Sequence, residues 1–585
     1  MPYRSPVADI TFVLDKIVDF ASLTGTDRFA ETSPDVTEAI LTEAGRMCDD
    51  ILAPLNRAGD LHPAVLENGI VRTSPGFAEG YRAIAEGGWV GMAADPEHGG
   101  MGLPQTLATA VNDMMSGACL SLQLNPLMSQ GQIEALEHHA SDELKALYLP
   151  KLIGGEWHGT MNLTEPQAGS DVGALRTKAE PLDDGTYAIT GQKIFISWAD
   201  NDFIANTCHL VLARLPDGVA GTKGISLFMV PKLIPDAEGN PGERNSLRVV
   251  SLEHKMGLHG SPTAVMAFEG AKGWLVGKPH GGMAAMFTMM NNARLGVGVQ
   301  GLGVAEAAYQ KALEYAQDRR QGRAGGTGTI SEYPDVRRML MTMKGDVFTA
   351  RAIALDCAVA IDMATATGDA RWSARAALLT PIAKAFGTDT GIEVSQMGMQ
   401  VHGGMGFIEE TGAAQYYRDA RILTIYEGTT AIQANDLVGR KTVRDGGALA
   451  KSLIGQVRET AAELGKADSA DLKAIGKRLS EASAALEAVV NFIAANGKAD
   501  IKAAFAGSVP YLKMAGVVFG GWQMGRAALV ASRKLAAGEG DASFYSAKIA
   551  TSRFFADHYL STAAASATSI VEGSSGVLAL AEEQF

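Results

Sequence analysis

Hydrophobic and polar positions recur with a helical spacing over most of the chain. Apolar residues return every three or four positions in 33–52 and 141–153, so residues 1–158 are predicted to form a helical domain, with 1–38 as an N-terminal extension. Ser141 stands where the N-cap of the second segment is expected, because its hydroxyl can accept a hydrogen bond from a free backbone N–H. This part of the chain therefore indicates packed helices.

A strand-like alternation replaces the helical spacing in residues 159–280. Apolar and polar residues alternate in 183–200, and turn-forming residues stand at Asp184–Gly185 and Gly191–Gln192. Further short apolar stretches follow, separated by turn residues. The pattern predicts a central antiparallel β domain.

Helical spacing then returns and persists to the last residues. Residues 281–441 are predicted to form a helical bundle, and the Ala-rich residues 442–585 a C-terminal helical extension. The most apolar stretch, 514–525, is bounded by Lys513 and Arg526 and is shorter than the about 20 residues that span a bilayer, so we expect a buried helix. The predicted fold class is multi-domain α with a central antiparallel β domain.

Composition and charge narrow the class of partner. The 585 residues are 46% hydrophobic and 20% charged, with a formal net charge of −14. Phosphate binding needs clustered Lys and Arg, so nucleic acid is excluded as the main partner. The four cysteines form no CxxC pair, which indicates reduced core thiols in a cytoplasmic protein, with neither a disulfide framework nor a metal site.

The sequence GVGVQG at residues 296–301 matches the GxGxxG pattern of dinucleotide-binding loops. Such a loop needs a strand before it, so that the following helix N-terminus meets the pyrophosphate. Here a helical pattern runs through both sides of the glycines. We therefore predict a small-residue face where two helices approach closely.

Two stretches of the β domain could contact a ligand. In residues 161–175, Gly169 and Ser170 would let backbone N–H groups approach a planar or anionic group, although a capped loop without a ligand fits equally well. In residues 193–202, Phe195 and Ser197 occupy alternate positions of a strand. This spacing is more often that of ordinary sheet than of a cofactor wall.

Two stretches of the predicted bundle could likewise either bind a ligand or have only a structural role. Arg319, Arg320 and Arg323 end a helix and could clamp phosphates, or they could only complement the negative end of the helix dipole. Gly403–Gly404 interrupts a helical run and predicts a turn or a close approach. The adjacent His402 is expected to pack and not to catalyse.

A carboxylate with a distinctive sequence neighbourhood follows later in the bundle. Apolar residues run up to Tyr426, and Glu427 is then followed by Gly428, Thr429 and Thr430. The two threonines are helix-capping residues. Glu427 is therefore either a carboxylate that precedes a helix cap or a base held in a particular place.

Seven segments, taken in this order, resemble the acyl-CoA dehydrogenase family over residues 40–440. They are TEPQAGSD, KIFIS, GLHGSPTA, ARLGVGVQGLG, DRRQ, MQVHGGMGF and RDARILTIYEGTTAIQ. The C-terminal extension is similar to that of the extended branch, and the whole chain is most similar to the bacterial members that act on 3-methylmercaptopropionyl-CoA in dimethylsulfoniopropionate degradation. The resemblance implies FAD-dependent oxidation of an acyl-CoA to the trans-2-enoyl-CoA.

Three alternatives stay open at this point. A general short- to long-chain fatty acyl-CoA dehydrogenase of β-oxidation would carry the same motifs. An acyl-CoA oxidase on the same fold would pass electrons to O₂, whereas a dehydrogenase passes them to an electron-transfer flavoprotein. A non-catalytic member is disfavoured by the presence of Glu427.

The resemblance also implies roles for particular residues. Glu427 would be the general base, because Ala293 stands where other family members place a base on a different helix. A dry pocket would raise the pKa of the Glu427 carboxyl. Arg294 would shape the active site.

The implied FAD contacts divide into two groups. Those to the flavin and its phosphate are Leu163, Thr164, Ser170, Phe195, Ser197 and Thr429. Those that would reach the adenine and pyrophosphate of FAD in a neighbouring subunit, and so imply a homodimer, are Arg319, Gln321, Gln400 and Gly404. After Gln321 the chain departs from the common Phe-Gly and continues with Gly-Arg-Ala-Gly-Gly.

Overall fold

The computed structural model describes residues 3–322 and 326–585 and falls into two compact units. The first, termed the β-domain unit, comprises Asp35–Gly296 together with residues 3–5. The second, termed the bundle unit, comprises Pro6–Pro34 and Val297–Phe585. Arg323 lies outside the described residues.

Helices occur in both units. In chain order the α-helices are α1 Val7–Lys16, α2 Phe20–Thr24, α3 Pro34–Met47, α4 Ala53–Leu61, α5 Phe77–Glu86, α6 Gln105–His139, α7 Asp142–Ile153, α8 Gly282–Asp318, α9 Pro334–Thr367, α10 Ala370–His402, α11 Ala413–Ala420, α12 Thr430–Val438, α13 Ala448–Lys466, α14 Ala470–Ala499, α15 Ile501–Ala506, α16 Ser508–Ala537, α17 Ala542–His558, α18 Ala563–Glu572 and α19 Ser574–Val577. The predicted N-cap Ser141 accepts a hydrogen bond from the backbone N–H of Leu144 at the start of α7.

The strands lie in the β-domain unit. They are β1 Val65–Glu67, β2 Ile70–Arg72, β3 Trp157–Asn162, β4 Lys178–Pro181, β5 Tyr187–Ser197, β6 Asn206–Arg214, β7 Ile225–Pro231, β8 Leu233–Pro235, β9 Pro241–Arg244, β10 Leu247–Leu252 and β11 Thr263–Val276. Within the described residues, seven of them form one sheet with the order β10-β11-β5-β4-β6-β3, and β7 pairs with both β11 and β6.

Most pairs in this sheet are antiparallel, as predicted, whereas β3 and β4 run parallel to β6. The residues between β3 and β6 give the chain the length that a parallel pair needs to return in the same direction. Less exposed and more exposed positions alternate along β11, as expected where one face packs on a core. The core side chains include Ile189, Val211, Phe228, Met266 and Phe268.

One turn prediction in this unit was wrong, and one turn was not predicted. Gly191 and Gln192 lie inside β5 and not in a turn, and a Cβ on Gly191 would collide with Thr177 of the neighbouring segment. Position 191 needs glycine because the segment that carries Thr177 lies so close to β5. Conversely, Asn68 and Gly69 have φ of 52° and 77° and join β1 to β2 in a tight hairpin that the helical prediction for residues 1–158 missed.

The bundle unit confirms the predicted buried helix. Residues 514–525 lie within α16, which packs on α9, α10 and α12. A Cβ on Gly516 would lie 2.5 Å from the Phe386 ring, and one on Gly520 would collide with Thr349. The glycines therefore let α16 approach α9 and α10 closely. Among the described helices, none combines the length and apolar character that crossing a bilayer requires.

The GVGVQG sequence lies inside α8, as predicted. A Cβ on Gly298 would lie 2.6 Å from the carbonyl oxygen of Ala383, and one on Gly301 would collide with the carbonyl of Gly387. Residues 298–301 of α8 and 383–388 of α10 therefore form a close helix contact, here termed the glycine crossing.

The N-terminal helix α1 belongs to the bundle unit. Lys548 of α17 donates a 2.7 Å hydrogen bond to Asp9 of α1, and its Nζ lies 4.1 Å from the centre of the Phe348 ring. Phe12 and Phe544 complete an aromatic surround for this buried ammonium group. Residues 6–34 thus pack with the bundle and the C-terminal extension.

Candidate active site

A β-bulge aims Phe195 out of the sheet. Ala264 of β11 faces Ile196 and Met266 faces Lys193, so two residues of β5 stand opposite one residue of β11. Phe195 is one of these two, with a φ of 61° and a side chain that is 59% exposed. Bulges and left-handed non-glycine residues concentrate at functional sites, where they redirect a side chain. An exposed ring held in this way is a surface for a planar ligand.

The loop after β3 is fastened to the same strand. The carbonyl of Thr164 accepts a 2.9 Å hydrogen bond from the backbone N–H of Ile194, and the carbonyl of Leu163 accepts a 3.0 Å bond from the Lys193 ammonium. Ser170 is exposed farther along the loop, and the half-buried Ser197 ends β5. The structure thus brings Leu163 and Thr164 to the same end of the interior strand β5 as Phe195 and Ser197, and this end is here termed the sheet edge.

A buried ion pair supports this edge. Glu165 and Lys193 join at 2.8 Å, with side chains 4% and 0% exposed. The Glu165 carboxylate also accepts bonds from the backbone N–H groups of Arg176 and Thr177 and from the Thr177 hydroxyl. Burial opposes the charge of Glu165, but Lys193 and these donors hold its pKa at about 2.

Sequence reasoning missed this pair, although both residues lie in segments that carry the family resemblance. Burial lowers the pKa of Lys193 to about 8, with Glu165 opposing that shift. Both groups are therefore charged at neutral pH. The sequence did contain a signal for this pair. Glu165 and Lys193 are only 28 positions apart, and each stands inside an otherwise apolar or turn-rich motif.

Glu427 lies in a strained turn of the bundle unit. Its φ is 54°, and the following Gly428 has a φ of 86°. A left-handed backbone is costly for a non-glycine residue and persists only where the surroundings impose it. The carboxylate Oε1 is buried while the residue as a whole is half-buried. The strain and the burial favour a placed carboxylate over a solvated one.

The residues after Glu427 begin α12. Thr429 is the N-cap, and its hydroxyl accepts a 3.3 Å hydrogen bond from the backbone N–H of Ile432. Thr430, the first helical residue, donates to the carbonyl of Thr424 at 3.5 Å. The predicted capping is confirmed for Thr429 but not for Thr430, and the bonds of both residues fix the chain immediately after Glu427.

The remaining predicted contacts of the bundle unit are exposed. Arg319 follows α8, Gln400 lies near the end of α10, and Gln321 and Gly404 lie beyond these helices. The ring of Tyr315 in α8 stacks on His402 at 4.4 Å, which places the two helix ends side by side. These four residues therefore cluster at one end of the bundle.

His402 and Arg294 are both buried. Burial lowers the pKa of His402, and its Nδ1 lies 2.7 Å from the carbonyl of Gly398, in keeping with the predicted packing role. Arg294, in the β-domain unit, is 6% exposed, and its guanidinium lies 5.9 Å from the centre of the Phe287 ring. The neighbouring Ala293 is buried and offers no titratable group.

Four family models match consecutive parts of the chain. Acyl-CoA dehydrogenase, N-terminal domain, matches residues 37–156, the middle domain matches 160–271, and the C-terminal domain matches 280–441. A model described as acetyl-CoA dehydrogenase C-terminal like matches residues 453–581.

Individual proteins are similar over nearly the full length. A 3-methylmercaptopropionyl-CoA dehydrogenase of Ruegeria pomeroyi is 47% identical over 568 residues, 96% of each chain. A broad-specificity linear acyl-CoA dehydrogenase, FadE5, of Mycobacterium tuberculosis is 36% identical over 593 residues, 95% of each chain. The solved acyl-CoA dehydrogenase complexed with FAD from Bacillus anthracis has the same fold, with a TM-score of 0.75 at 20% identity over 96% of this chain and 91% of that one.

Proposed function

Since the chain belongs to the acyl-CoA dehydrogenase family, whose members oxidise acyl-CoA thioesters with FAD, we propose that its substrate is 3-methylmercaptopropionyl-CoA and that Glu427 is its general base. The 47% identity to a dehydrogenase of that name over 96% of both chains supports the substrate. The strained, partly buried turn at Glu427 is the observation that carries the base. The product would be 3-(methylthio)acryloyl-CoA.

The chemistry requires a carboxylate against a weakly acidic carbon. Glu427 takes a proton from the α-carbon of the thioester, and a buried carboxylate is the stronger base because water does not stabilise its charge. The backbone N–H of Glu427 would donate to the thioester carbonyl oxygen and so stabilise the charge that develops there. FAD, when bound, supplies the acceptor for the hydride that leaves the β-carbon.

The residues of the sheet edge fit a flavin. Phe195 presents an exposed ring on β5, the half-buried Ser197 ends the same strand, and Thr164 is bonded to that strand at Ile194. Leu163, Ser170 and Thr429 are the further groups that the family resemblance implies for holding the cofactor. Arg294 would shape the substrate side of the site.

We further propose a homodimer. Arg319, Gln321, Gln400 and Gly404 are exposed at one end of the bundle, where they would bind the adenine and pyrophosphate of the FAD in the second copy. Phe407, three positions after Gly404, is 84% exposed, which supports burial of this end against another chain. The buried, free cysteines support a cytoplasmic location, where thiols stay reduced.

Turnover with a substrate series tests the proposed substrate. We expect the highest kcat/KM for 3-methylmercaptopropionyl-CoA among propionyl-, butanoyl-, octanoyl-, palmitoyl- and 3-methylmercaptopropionyl-CoA. A higher value for octanoyl- or palmitoyl-CoA would instead identify a general fatty acyl-CoA dehydrogenase.

Two further measurements test the base and the electron acceptor. Glu427→Gln should keep its FAD and lose turnover, because an amide cannot accept the α-proton; activity within tenfold of the unchanged enzyme would exclude Glu427. We propose an electron-transfer flavoprotein as the acceptor. Rapid reoxidation in air of enzyme that substrate has reduced anaerobically would favour an oxidase.

A further inference from the structure

The stretch that carries Glu427 is bonded to both helices of the glycine crossing. Residues 421–428 are here termed the base segment. Gln300 of α8 and Lys384 of α10 lie within the crossing, and both side chains are 0% exposed. Each of them bonds the base segment just before Glu427.

Gln300 anchors the residue that directly precedes the base. Its Oε1 accepts a hydrogen bond from the hydroxyl of Tyr426. Burial, with a smaller contribution from the charge of Glu427, raises the pKa of the Tyr426 hydroxyl. Tyr426 therefore stays protonated and remains a donor over the working pH range.

Lys384 anchors the preceding turn. Its ammonium donates a 2.7 Å hydrogen bond to the carbonyl of Leu423, which lies in the 3₁₀ turn Arg421–Thr424. A buried ammonium group is held in place by the acceptors that compensate its lost hydration. The position of Lys384 in α10 thus fixes the position of this turn.

Gln433 holds the other side of the base. Its side chain is 0% exposed, and its Nε2 lies 3.3 Å from the carbonyl oxygen of Gly428. A Cβ on Gly428 would lie 2.7 Å from the same nitrogen. The left-handed turn at Glu427 is therefore enclosed by bonded groups on both sides.

We propose that Gln300 and Lys384 are positioning residues for the reaction. They hold the base segment so that Glu427 keeps the left-handed backbone that directs its carboxylate. This inference rests on the proposed function, because it takes Glu427 as the base. The physical reason is that a strained backbone relaxes unless neighbouring bonds impose it, and a displaced base reacts slowly.

Rapid-reaction kinetics on the FAD-loaded enzyme test this role. The rate of flavin reduction by 3-methylmercaptopropionyl-CoA and by butanoyl-CoA is measured for Tyr426→Phe, Gln300→Leu and their double variant. We expect each single variant to be slower by about tenfold, since a misplaced reacting group costs up to about 100-fold, with KM within about twofold. The double variant should be no slower than either single, because both remove the same bond.

Lys384 is tested by a pair of substitutions. Lys384→Met should slow reduction at least tenfold, and Lys384→Arg, which keeps a charged donor, should recover part of the rate. Thr388→Val is the matched control: its buried hydroxyl lies in the same crossing but bonds only carbonyls of its own helix. The flavin of Thr388→Val should be reduced at the same rate as that of the unchanged enzyme.

The outcomes separate the two proposals. Flavin-reduction rates within twofold of the unchanged enzyme in both Tyr426→Phe and Gln300→Leu would overturn the positioning role. Rate losses that multiply in the double variant would overturn it as well, as would an equal rate loss in Thr388→Val. Glu427→Gln that still turns over would overturn the base itself. A primary isotope effect on α-deuterated substrate that grows in the slow variants would support displaced proton transfer.

Discussion

Removal of the Lys193 side-chain charge tests the buried pair under the predicted flavin edge. Lys193→Met keeps most of the side-chain volume and deletes the ammonium that bonds Glu165 at 2.8 Å and the carbonyl of Leu163 at 3.0 Å. Glu165 would then be a buried carboxylate without its counter-ion. Breaking a buried pair from one side typically costs about 3–5 kcal/mol of the free energy of unfolding.

The remaining contacts set where in that range the cost falls. Thr177 and the backbone N–H of Arg176 continue to donate to Glu165, which favours the lower end, about 3 kcal/mol. The carbonyl of Leu163 loses a buried donor, which adds about 1 kcal/mol. About 4 kcal/mol in a unit of this size corresponds to a fall in Tm of about 8–16 °C.

Thermal unfolding and bound flavin provide the assay. Tm is measured by differential scanning fluorimetry, and FAD occupancy from the ratio of flavin to protein absorbance, for Lys193→Met and for Glu165→Gln/Lys193→Met. The double variant should recover part of the loss, because a neutral amide needs no counter-ion. Lys272→Met, which breaks an exposed pair with Asp184 in the same domain, is the control and should cost under about 1 kcal/mol.

Acid unfolding gives an independent check on the same pair. The folded pKa of Glu165, about 2, lies below its usual value of 4.5, so its contribution to stability is present above pH 4.5 and is lost as the pH falls toward 2. The Tm gap between the unchanged protein and Lys193→Met should narrow over that window. A Lys193→Met protein within 1 °C of the unchanged one, or a double variant less stable than Lys193→Met, would refute the reasoning.

Three further substitutions probe other parts of the molecule. Arg319→Ala should lower FAD retention after gel filtration, and unchanged occupancy would count against its phosphate contact. Burial raises the pKa of Asp346 to about 8, above its ordinary 3.8, so its contribution to stability is lost as the pH rises through 8. Asp346→Asn should therefore flatten the fall in Tm between pH 4 and 9. Parallel curves of Tm against pH for the variant and the unchanged protein would contradict this. Gly298→Ala should cost about 1–3 kcal/mol by overpacking the glycine crossing, measured as Tm against Gly455→Ala, whose Cβ meets open space; equal Tm values would exclude the tight crossing.

Local sequence patterns predicted the parts of the site whose causes are local. The threonines after Glu427 predicted a helix start, because a hydroxyl at that place caps the nearest N–H groups. The helical pattern around GVGVQG predicted a helix and not a dinucleotide-binding loop, because the residues on both sides of the glycines keep the helical spacing. Each of these features is decided within a few residues of the chain.

Features that depend on distant partners were not predictable in this way. Gly191 resembled a turn residue because Thr177, which forbids a side chain there, is distant in sequence. The exposure of Phe195 depends on the register between β5 and β11, and alternation alone does not reveal a bulge. The left-handed backbone of Glu427 depends on groups from α8, α10 and α12. Asn68–Gly69 was different, since the hairpin signal was present and was overlooked.

The bond between Asp9 and Lys548 has a consequence for synthesis on the ribosome. The β-domain unit, from Asp35 to Gly296, is almost continuous in the chain, so it can fold as soon as its own residues emerge. The bundle unit instead joins residues 6–34 first to α9, which is complete about 70 positions after Gly296, and then to Lys548, about 250 positions after Gly296. At about 5–20 residues per second the second partner follows Gly296 by roughly 12–50 s. The apolar face of α1, with Phe12 at its centre, is therefore made early and is completed only when Phe544 and Lys548 join Phe348 around it, which makes it a natural contact for chaperones during synthesis.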